Sequence, residues 1–363
     1  MKIINVAGAR PNFMKIAPLV EAFAAHPAIE AMLVHTGQHY DERMSDMFFR
    51  ELGIPEPDVN LEIGSASHAV QTAEIMKAFE QVCLAEKPDA VLVVGDVNST
   101  IACGLVASKL GIKLIHVEAG LRSFDRQMPE EINRVLTDSI SDFLFVTEPA
   151  GIKNLKNEGV GDERVYFVGH VMIDTLLKNL KKAESSDIME KLGVASGEYC
   201  TMTMHRPSNV DDPVVFARLL DAIEVIQGDC PILLPIHPRT ANNAEKFGLS
   251  ERIKSMKGLR ILEPMGYLDF LKLNAHAKAV VTDSGGLQEE TTALQVPCIT
   301  MRENTERPVT CDIGTNQLVG TDPAAIITAW EKVKAGQVHG EIPELWDGKA
   351  AERIADILAE KLA

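Results

Sequence analysis

The sequence predicts an α/β protein made of two doubly wound, Rossmann-like domains, and three observations lead to this prediction. The chain has 363 residues, which exceeds the usual size of a single hydrophobic core. Short apolar, β-branched runs alternate with longer stretches of helical period along most of its length. These runs are apolar throughout, which is typical of strands buried on both faces of a parallel sheet that helices cover.

The first half of the chain contains a series of such strand candidates, each followed by helical or turn sequence. The strand candidates are KIINVAG, AMLVHTG, AVLVVGD, KLIHVEAG, FLFVT and VYFVG. The helical stretches between them include FMKIAPLVEAFAAH, AVQTAEIMKAFEQVCLAE and TIACGLVASKLG. This order predicts a first Rossmann-like domain over residues 1–170.

A change of texture around residues 180–197 marks the entry to a second domain, and the cut can lie anywhere from 168 to 198. The strand rhythm then restarts with YCTMTMH, PILLPIH, LRILEP, KAVVTDSGG and PCITMR. We assign residues 171–345 to this second, Rossmann-like domain. The last segment, 346–363, has the period of an amphipathic helix. The sequence does not determine which domain this helix packs against, and one arrangement to consider is that it packs back on the N-terminal domain.

Composition and charge exclude several classes of protein. The hydrophobic fraction of 46% and the charged fraction of 24% are ordinary for a globular protein. The formal net charge of −16 argues against a nucleic-acid surface and against an anionic membrane face, because both need a basic stripe. An anionic ligand would therefore require cations gathered locally.

The termini and the cysteines predict a cytoplasmic location. No apolar run reaches membrane-spanning length, and the first residues lack the apolar core and cleavage site of a signal peptide. The six cysteines are scattered, without a CxxC pair or a Cys/His spacing suited to zinc. We expect reduced, mostly buried thiols and no metal site.

Polar residues that follow the predicted strands are the candidate site residues. Ligands of open α/β sheets bind at the carboxyl ends of the strands, and the crevice between two domains is a natural site. After the first strand, GARPNFMK offers Gly8, Arg10 and Lys15 around a helix start, a pattern that suits an anion. The spacing matches neither GxGxxG nor a P-loop, and a solvated helix start is the competing interpretation.

Three acidic positions follow in the first domain. Asp96 comes just past a strand, where a helix cap is the alternative role. Glu118 ends an apolar strand, which is costly unless the carboxylate is used or paired, for example with Arg122. Glu130 belongs to PEEINR, which is also a common capping and ion-pair pattern with Arg134. Three carboxylates could bind a divalent metal, but the interleaved arginines favour acid/base chemistry on an anionic substrate.

The second half places histidines and arginines after its strands. His205 is followed by Arg206, and His237 by Arg239. A lone histidine at a strand end is usually structural, but two histidine–arginine pairs favour phosphate contacts. The segment MRENTERP adds further charged residues, Arg302, Glu306 and Arg307.

The stretch TDSGGLQEE predicts a nucleoside diphosphate site. A glycine pair at a helix start lets backbone N–H groups reach a diphosphate, and Ser284 adds a hydroxyl donor. A glutamate one turn further on can accept a hydrogen bond from a ribose diol. Two adjacent acids would repel a free phosphate, so we expect one of them to face sugar hydroxyls instead.

Six motifs together resemble one enzyme family. GARPNFMKIAP, VGDVNST, HVEAGLRS, PEEINR, TDSGGLQEE and TERP resemble the non-hydrolysing UDP-N-acetylglucosamine 2-epimerases, and they occur in that family's order across residues 8–308. The resemblance implies a GT-B-like pair of Rossmann domains with the active site in the interdomain cleft, and a homodimer. It also implies interconversion of UDP-N-acetylglucosamine and UDP-N-acetylmannosamine without a metal or redox cofactor.

The chemistry that the resemblance implies accounts for the acids. The C2 proton of the sugar is not next to a carbonyl, so direct abstraction gives no stabilised carbanion. Elimination of UDP to a 2-acetamidoglucal, followed by re-addition, avoids this and needs acid/base groups, cations and a closed site. By motif, the catalytic residues are Asp96, Glu118, Glu130 and His205. The residues carried over as substrate- or UDP-binding are Arg10, Lys15, Arg134, His237, Phe270, Ser284, Gly285, Gly286 and Glu290.

The sequence departs from the family's pattern in one region. Members activated by their own substrate carry Gln-His-x-Gln after the second strand and an arginine further on. Here Gln38 and His39 are followed by Asp41 in place of the second glutamine, and EIGSASHAVQ has no arginine. This departure disfavours activation by a second UDP-sugar.

Several alternatives stay open from the sequence. Relatives that act on UDP-2,3-diacetamido-2,3-dideoxyglucuronate have similar TGQH and EAGLRSF runs and are the nearest alternative. A hydrolysing epimerase would release N-acetylmannosamine and UDP. A GT-B glycosyltransferase would share the nucleotide site, and a non-catalytic nucleotide-sugar sensor would lack the acids. The three acids disfavour these last two.

Overall fold

The computed structural model describes residues 1–8, 10–37, 53 and 55–362. These residues form two compact units, Met1–Lys178 with Glu344–Ala363, and Asn179–Pro343. The boundaries after residues 170 and 345 that we drew from the sequence stay predictions. The positions Gln38, His39 and Asp41, on which the argument about substrate activation rests, lie outside the described residues.

The first unit is built on a parallel sheet that has seven strands within the described residues. Its strands are β1 (Lys2–Ala7), β2 (Glu30–His35), β3 (Val59–Asn60), β4 (Ala90–Val94), β5 (Lys113–Ala119), β6 (Phe143–Val146) and β7 (Val165–Phe167). Its helices are α1 (Arg10–Ala25), α2 (His68–Glu86), α3 (Asn98–Leu110), α4 (Pro129–Ile140), α5 (Pro149–Asn157) and α6 (Val171–Ala183). The strand order is β3-β2-β1-β4-β5-β6-β7.

The second unit repeats the plan with a sheet that has six parallel strands in the described part of the chain. The strands are β8 (Cys200–Thr203), β9 (Ile232–Pro235), β10 (Leu259–Leu262), β11 (Ala279–Thr282), β12 (Cys298–Thr300) and β13 (Asn316–Leu318). The helices are α7 (Ile188–Leu192), α8 (Pro207–Val210), α9 (Pro213–Asp229), α10 (Pro238–Lys246), α11 (Ser250–Ser255), α12 (Tyr267–Ala275), α13 (Gly285–Leu294), α14 (Val309–Asp312) and α15 (Pro323–Lys334). The order is β10-β9-β8-β11-β12-β13.

The predicted fold class, two doubly wound parallel α/β units, is confirmed. The strand order reverses between β1 and β4 in the first sheet and between β8 and β11 in the second. A ligand site is expected at such a reversal, beyond the carboxyl ends of the strands. The apolar runs lack alternation because helices cover both faces of each sheet; every residue of β4 and of β11 is buried.

The chain returns to the first unit through Leu345 and Trp346 and ends in α16 (Ala350–Lys361). There α16 packs against α1. Asp174 of α6 accepts hydrogen bonds from the backbone N–H groups of Ala350 and Ala351, at 3.2 and 2.8 Å, and so satisfies two amides at the start of α16. Burial raises the pKa of Asp174 to about 6. Within the described residues, none of the helices combines the length and the apolarity needed to cross a membrane.

Gly169 allows the returning segment to approach the strand end after β7. Its φ is +86°, and a Cβ atom there would overlap the carbonyl oxygen of Leu345. Gly159 has a similar φ of +81°, but a Cβ atom there would have no neighbour within 4 Å among the residues that the structure describes. Substitution of Gly159 therefore tests the free-energy cost of the backbone conformation alone, whereas substitution of Gly169 adds the cost of the steric overlap.

We expect Gly169→Ala to destabilise the protein more than Gly159→Ala. Both substitutions place a side chain in the left-handed region, at about 1–2 kcal/mol each. Gly169→Ala adds a steric overlap that costs about a further 1–3 kcal/mol. Urea unfolding of both variants measures the difference, and equal losses would show that the Leu345 carbonyl does not restrict position 169.

Candidate active site

The order of the first sheet brings three predicted site residues to one edge. Because β1, β4 and β5 are neighbours, the segments that follow their carboxyl ends are neighbours too. Lys15 Nζ of α1 lies 2.5 Å from Glu118 Oε2 of β5, and both side chains are buried. A Cβ atom on Gly95 would lie 3.5 Å from Lys15 Nζ and 3.6 Å from Glu118 Oε2. Asp96 follows Gly95 directly, so it lies next to this ion pair.

The backbone of Glu118 is irregular, and this irregularity directs its side chain. Its φ is +72°, which is uncommon for a residue with a side chain, and the register between β5 and β6 shifts between Val117 and Ala119. A bulge of this kind re-aims a side chain that regular alternation would send elsewhere. Strained residues of this type cluster at functional sites, because the surrounding packing has to hold them in place.

His170 is a buried neighbour of Glu118 that sequence reasoning missed. Its Nδ1 lies 3.7 Å from Glu118 Oε1, and its ring meets the Trp346 ring edge-on at 5.3 Å. Trp346 in turn donates from Nε1 to the carbonyl oxygen of Thr147 at 3.0 Å. The signal available in the sequence was a histidine after the strand YFVG, the same pattern that singled out His205 and His237.

Arg134 holds Asp96 in place. Its Nη2 lies 2.7 Å from Asp96 Oδ2 and its Nη1 2.8 Å from Glu131 Oε2. Asn133 also donates from Nδ2 to the Asp96 carbonyl oxygen at 2.8 Å. Glu130 lies in the first turn of α4, one helical turn before Asn133 and Arg134, and is partly exposed. Residues three and four apart share a helix face, so Glu130 and the contacts to Asp96 lie on the same side of α4.

A second network of buried polar side chains contacts the same segment through the Gly95 carbonyl oxygen, and the sequence did not predict it. Asp138 lies 2.7 Å from both His116 Nδ1 and Arg122 Nη2. His116 Nε2 lies 2.8 Å from the Gly95 carbonyl oxygen, so both ring nitrogens face oxygen atoms. Arg122 also pairs with Glu158, with Nη2 2.6 Å from Oε2. The structure therefore gives Arg122 these two carboxylates as partners and gives Glu118 the Lys15 ammonium.

The second sheet aligns its own set of polar residues, because β9, β8, β11 and β12 are successive neighbours. His205 Nδ1 lies 3.0 Å from Asp283 Oδ1, and Asp283 Oδ2 accepts from the backbone N–H groups of His205 and Arg206 at 2.7 and 2.8 Å. Burial opposes the ionisation of Asp283, but these hydrogen bonds keep its pKa below the ordinary value. The His205 side chain stays 40% exposed, and its ring lies 5.6 Å from that of His237.

His237 caps α10 in a defined tautomer. Its Nδ1 accepts a hydrogen bond from the backbone N–H of Arg239 at 3.1 Å. With Nδ1 as the acceptor, the Nε2 of the neutral ring carries the proton and is a donor. The Arg239 side chain pairs through two nitrogens with the carboxylate of Asp211, at 2.8 and 2.6 Å.

The predicted diphosphate site lies at the start of α13. Ser284 is the N-cap residue, but its hydroxyl does not accept from a first-turn amide of the helix. Gly285 and Gly286 form the first turn and are partly exposed. The helix terminus therefore presents backbone N–H groups and a positive dipole end to an anion.

The remaining predicted residues lie on α1, α12 and α13. Arg10 begins α1, and its side chain lies outside the part of the structure that is described. Phe270 of α12 is partly buried against an apolar cluster of the second unit. Glu290 is buried on α13, and burial together with the charge of Glu289 raises its pKa to about 8. Glu289 pairs with Arg307. At neutral pH Glu290 is therefore mostly a neutral carboxylic acid.

Among the described residues, no group of three or more His, Cys, Asp and Glu side chains is placed to hold a metal ion. All six cysteines are free thiols, and only Cys311 is not fully buried. Cys200 Sγ and Cys230 Sγ lie 3.8 Å apart as thiols.

The sequence and the fold both match known proteins. The profile of the family described as UDP-N-acetylglucosamine 2-epimerase matches residues 21–359. A UDP-N-acetylglucosamine 2-epimerase of Methanococcus maripaludis is 44% identical over 98% of each chain. The crystal structure of the Methanocaldococcus jannaschii UDP-GlcNAc 2-epimerase in complex with UDP-GlcNAc and UDP is similar with a TM-score of 0.91, at 43% identity, over 99% of this chain and 100% of that one.

One further relative is named for a different sugar. The UDP-2,3-diacetamido-2,3-dideoxy-D-glucuronate 2-epimerase of Pseudomonas aeruginosa is 41% identical over 99% of this chain and 100% of its own.

Two doubly wound units, each with a parallel sheet, and the similarity to solved structures define a protein with a GT-B-like fold. The chain belongs to the UDP-N-acetylglucosamine 2-epimerase family, and its chemistry is that of an isomerase. The family that the six motifs predicted is thus confirmed.

The raised pKa of Glu290 predicts a pH-dependent stability. The folded protein keeps a proton up to a pH of about 8, whereas a carboxyl group in the unfolded chain releases it near 4.5. The free energy of unfolding therefore falls as the pH rises between these two values.

We expect Glu290→Gln to remove the loss of stability at high pH, because glutamine does not titrate. The variant should gain on the order of 1–3 kcal/mol over the unmodified protein at the upper end of the range, and little at the lower end. Thermal unfolding across that pH range measures this, with Glu190→Gln on the exposed face of α7 as the control. A constant difference at every pH would contradict the assigned titration.

Proposed function

We propose that the protein is a non-hydrolysing epimerase that interconverts UDP-N-acetylglucosamine and UDP-N-acetylmannosamine. The observation that carries this proposal is the edge of the first sheet, where Asp96, Glu118 and Lys15 lie together and α4 brings Glu130 to the same side. Acids and a cation at one place suit a reaction that moves a proton while an anion leaves. The named relatives act on such substrates and support the assignment.

The reaction we propose is an elimination followed by a re-addition. A carboxylate removes the C2 proton, the C1–C2 double bond forms, and the bond from C1 to the phosphate oxygen breaks, so that UDP leaves with the electron pair. Re-addition of UDP to C1 is accompanied by protonation of C2 on the opposite face. We assign the proton transfers to Asp96, Glu118 and Glu130, without a metal or redox cofactor. His205 contributes as a fourth catalytic residue, held by Asp283.

The substrate-binding residues follow from the same proposal. Lys15, charged and next to Glu118, stabilises negative charge that develops during the elimination. The nucleotide is bound by the second unit, where the N–H groups of Gly285 and Gly286, the Ser284 hydroxyl and His237 Nε2 are donors for phosphate oxygens. We assign ribose to Glu290 and the uracil to Phe270. Arg10 and Arg134 complete the proposed substrate site, Arg134 by holding Asp96.

A second candidate substrate follows from one specific relative. The Pseudomonas aeruginosa 2-epimerase of UDP-2,3-diacetamido-2,3-dideoxy-D-glucuronate is nearly as similar in sequence as the Methanococcus maripaludis enzyme, at 41% against 44% identity. Its substrate carries an acetamido group at C3 and a carboxylate at C6, and the C2 chemistry is unchanged. Measuring exchange of the C2 proton with each of the two UDP-sugars distinguishes the two candidates.

We further propose a homodimer that forms through α2 and α4. Both helices pack against α3 and expose large apolar side chains, since Val70 is 53%, Ile132 43% and Leu136 48% exposed. Ile132 lines a surface groove together with Ala69 and Met76 of α2, and contiguous exposed apolar surface is typical of interaction sites. We place the protein in the cytoplasm, where thiols such as Cys200 and Cys230 stay reduced. Its product would supply precursors for surface polysaccharide or glycan synthesis.

The first test follows the C2 proton. The purified protein is incubated with UDP-N-acetylglucosamine in D2O and observed by proton NMR. We expect UDP-N-acetylmannosamine to appear with deuterium at C2 and without free sugar, because the proton that returns comes from solvent-exchanged carboxyl groups. Free N-acetylmannosamine with UDP would indicate a hydrolysing enzyme. If UDP-N-acetylglucosamine shows no exchange at C2 but UDP-2,3-diacetamido-2,3-dideoxyglucuronate does, the second sugar is the substrate.

The second test separates catalysis from binding. We expect Asp96→Asn, Glu118→Gln and Glu130→Gln each to lower kcat by about 100- to 10,000-fold, which is the usual contribution of a general acid or base. UDP affinity should stay close to normal, because the nucleotide is assigned to other residues. Glu198→Gln at an exposed position is the control. An acid whose neutral variant keeps full turnover has no part in the proton transfer.

A further inference from the structure

Arg302 is a buried cation beside the start of α13, and neither the predicted site nor the proposed function uses it. It follows β12 and is only 4% exposed. Its Nη2 donates to Glu306 Oε2 at 2.9 Å and lies 3.4 Å from Asn304 Oδ1. Its Nη1 has no hydrogen-bond partner among the described residues.

The unpaired nitrogen lies beside the first turn of α13. A Cβ atom built on Gly285 would lie 3.6 Å from Arg302 Nη1 and 2.9 Å from Glu306 Oε1. Glycine at this position therefore lets the Arg302–Glu306 pair approach the helix terminus closely. The backbone of Gly285 is partly exposed, so a ligand can reach the same place from solvent.

A buried donor without a partner is costly, and most buried donors in proteins are paired. Here the donor belongs to a charged guanidinium and lies next to the positive end of a ten-residue helix. An anion bound at this place would interact with both positive features. Glu306 balances the charge of Arg302 through Nη2, and it fixes the planar group so that Nη1 keeps its direction.

We propose that Arg302 binds the diphosphate of the nucleotide through Nη1, together with the first-turn N–H groups of α13. This inference rests on the proposed function and adds a residue to its binding site. In a chain with a net charge of −16, a diphosphate needs cations placed directly at its binding site. Arg307, which is close in sequence, pairs with Glu289, and it is Arg302 Nη1 that lies beside Gly285.

The test compares ligands with and without phosphates. Binding of UDP and of uridine is measured by calorimetry for the unmodified protein and for Arg302→Gln. We expect UDP affinity to fall about 10- to 100-fold, the usual effect of losing a hydrogen bond between charged groups. Uridine affinity should not change, because uridine has no phosphate for Arg302 to contact.

Two further variants keep the test decisive. Arg252→Gln removes an arginine that also pairs with carboxylates, Asp221 and Glu224, on the surface of the same unit, and should leave both affinities unchanged. Arg302→Lys keeps the buried charge if the glutamine variant does not fold. It should lose UDP affinity by a smaller factor, because an ammonium cannot donate in two fixed directions from one plane.

The outcomes separate this inference from the proposed function. Unchanged UDP affinity in Arg302→Gln, or equal losses for UDP and uridine, would overturn the role of Arg302 while the epimerase proposal stands. Failure of the unmodified protein to bind UDP would contradict both the role of Arg302 and the proposed function. A selective loss for UDP with normal uridine binding would establish Arg302 as a diphosphate-binding residue.

Discussion

The buried ion pair between Lys15 and Glu118 is the interaction on which the first unit's candidate site depends. A carboxylate at the end of an apolar strand is stable only if its charge is compensated, and the ammonium 2.5 Å away does this. The pair requires the strained backbone of Glu118, the close approach of Gly95 and the position of α1 after β1. His170 closes the other side of Glu118, and the returning segment with Trp346 packs on His170.

The two units solve the same problem, polar groups at the carboxyl edge of a buried sheet, in different ways. In the first unit, carboxylates are paired with buried cations, as Asp96 is with Arg134 and Glu118 with Lys15. In the second unit, Asp283 is held ionised by hydrogen bonds, whereas burial keeps Glu290 neutral at physiological pH. In the proposed function, the first unit supplies the three carboxylates for proton transfer and the second unit supplies most of the donors for the diphosphate, and an elimination needs both kinds of group.

Several side chains that were candidates for substrate contacts have structural partners. Arg239 pairs with Asp211, and Arg122 pairs with Asp138 and Glu158. Arg134 pairs with Asp96 and Glu131 through its two terminal nitrogens. Arg302 Nη1 lies beside Gly285 and has no hydrogen-bond partner within the described part of the chain. Charge and position in the sequence are therefore a poor guide to which cations meet a ligand, because the pairing is decided by residues distant along the chain.

The sequence by itself determined the fold class, the family and the strand ends that carry polar residues. It could do so because apolar runs and glycine-rich helix starts are local patterns, and six of them occur together in order. Only the tertiary structure decided that Lys15 rather than Arg122 compensates Glu118, that His170 reaches the same carboxylate, and that Arg302 lies at Gly285. These contacts join residues 17 to 103 positions apart, and local patterns carry no information on such pairings.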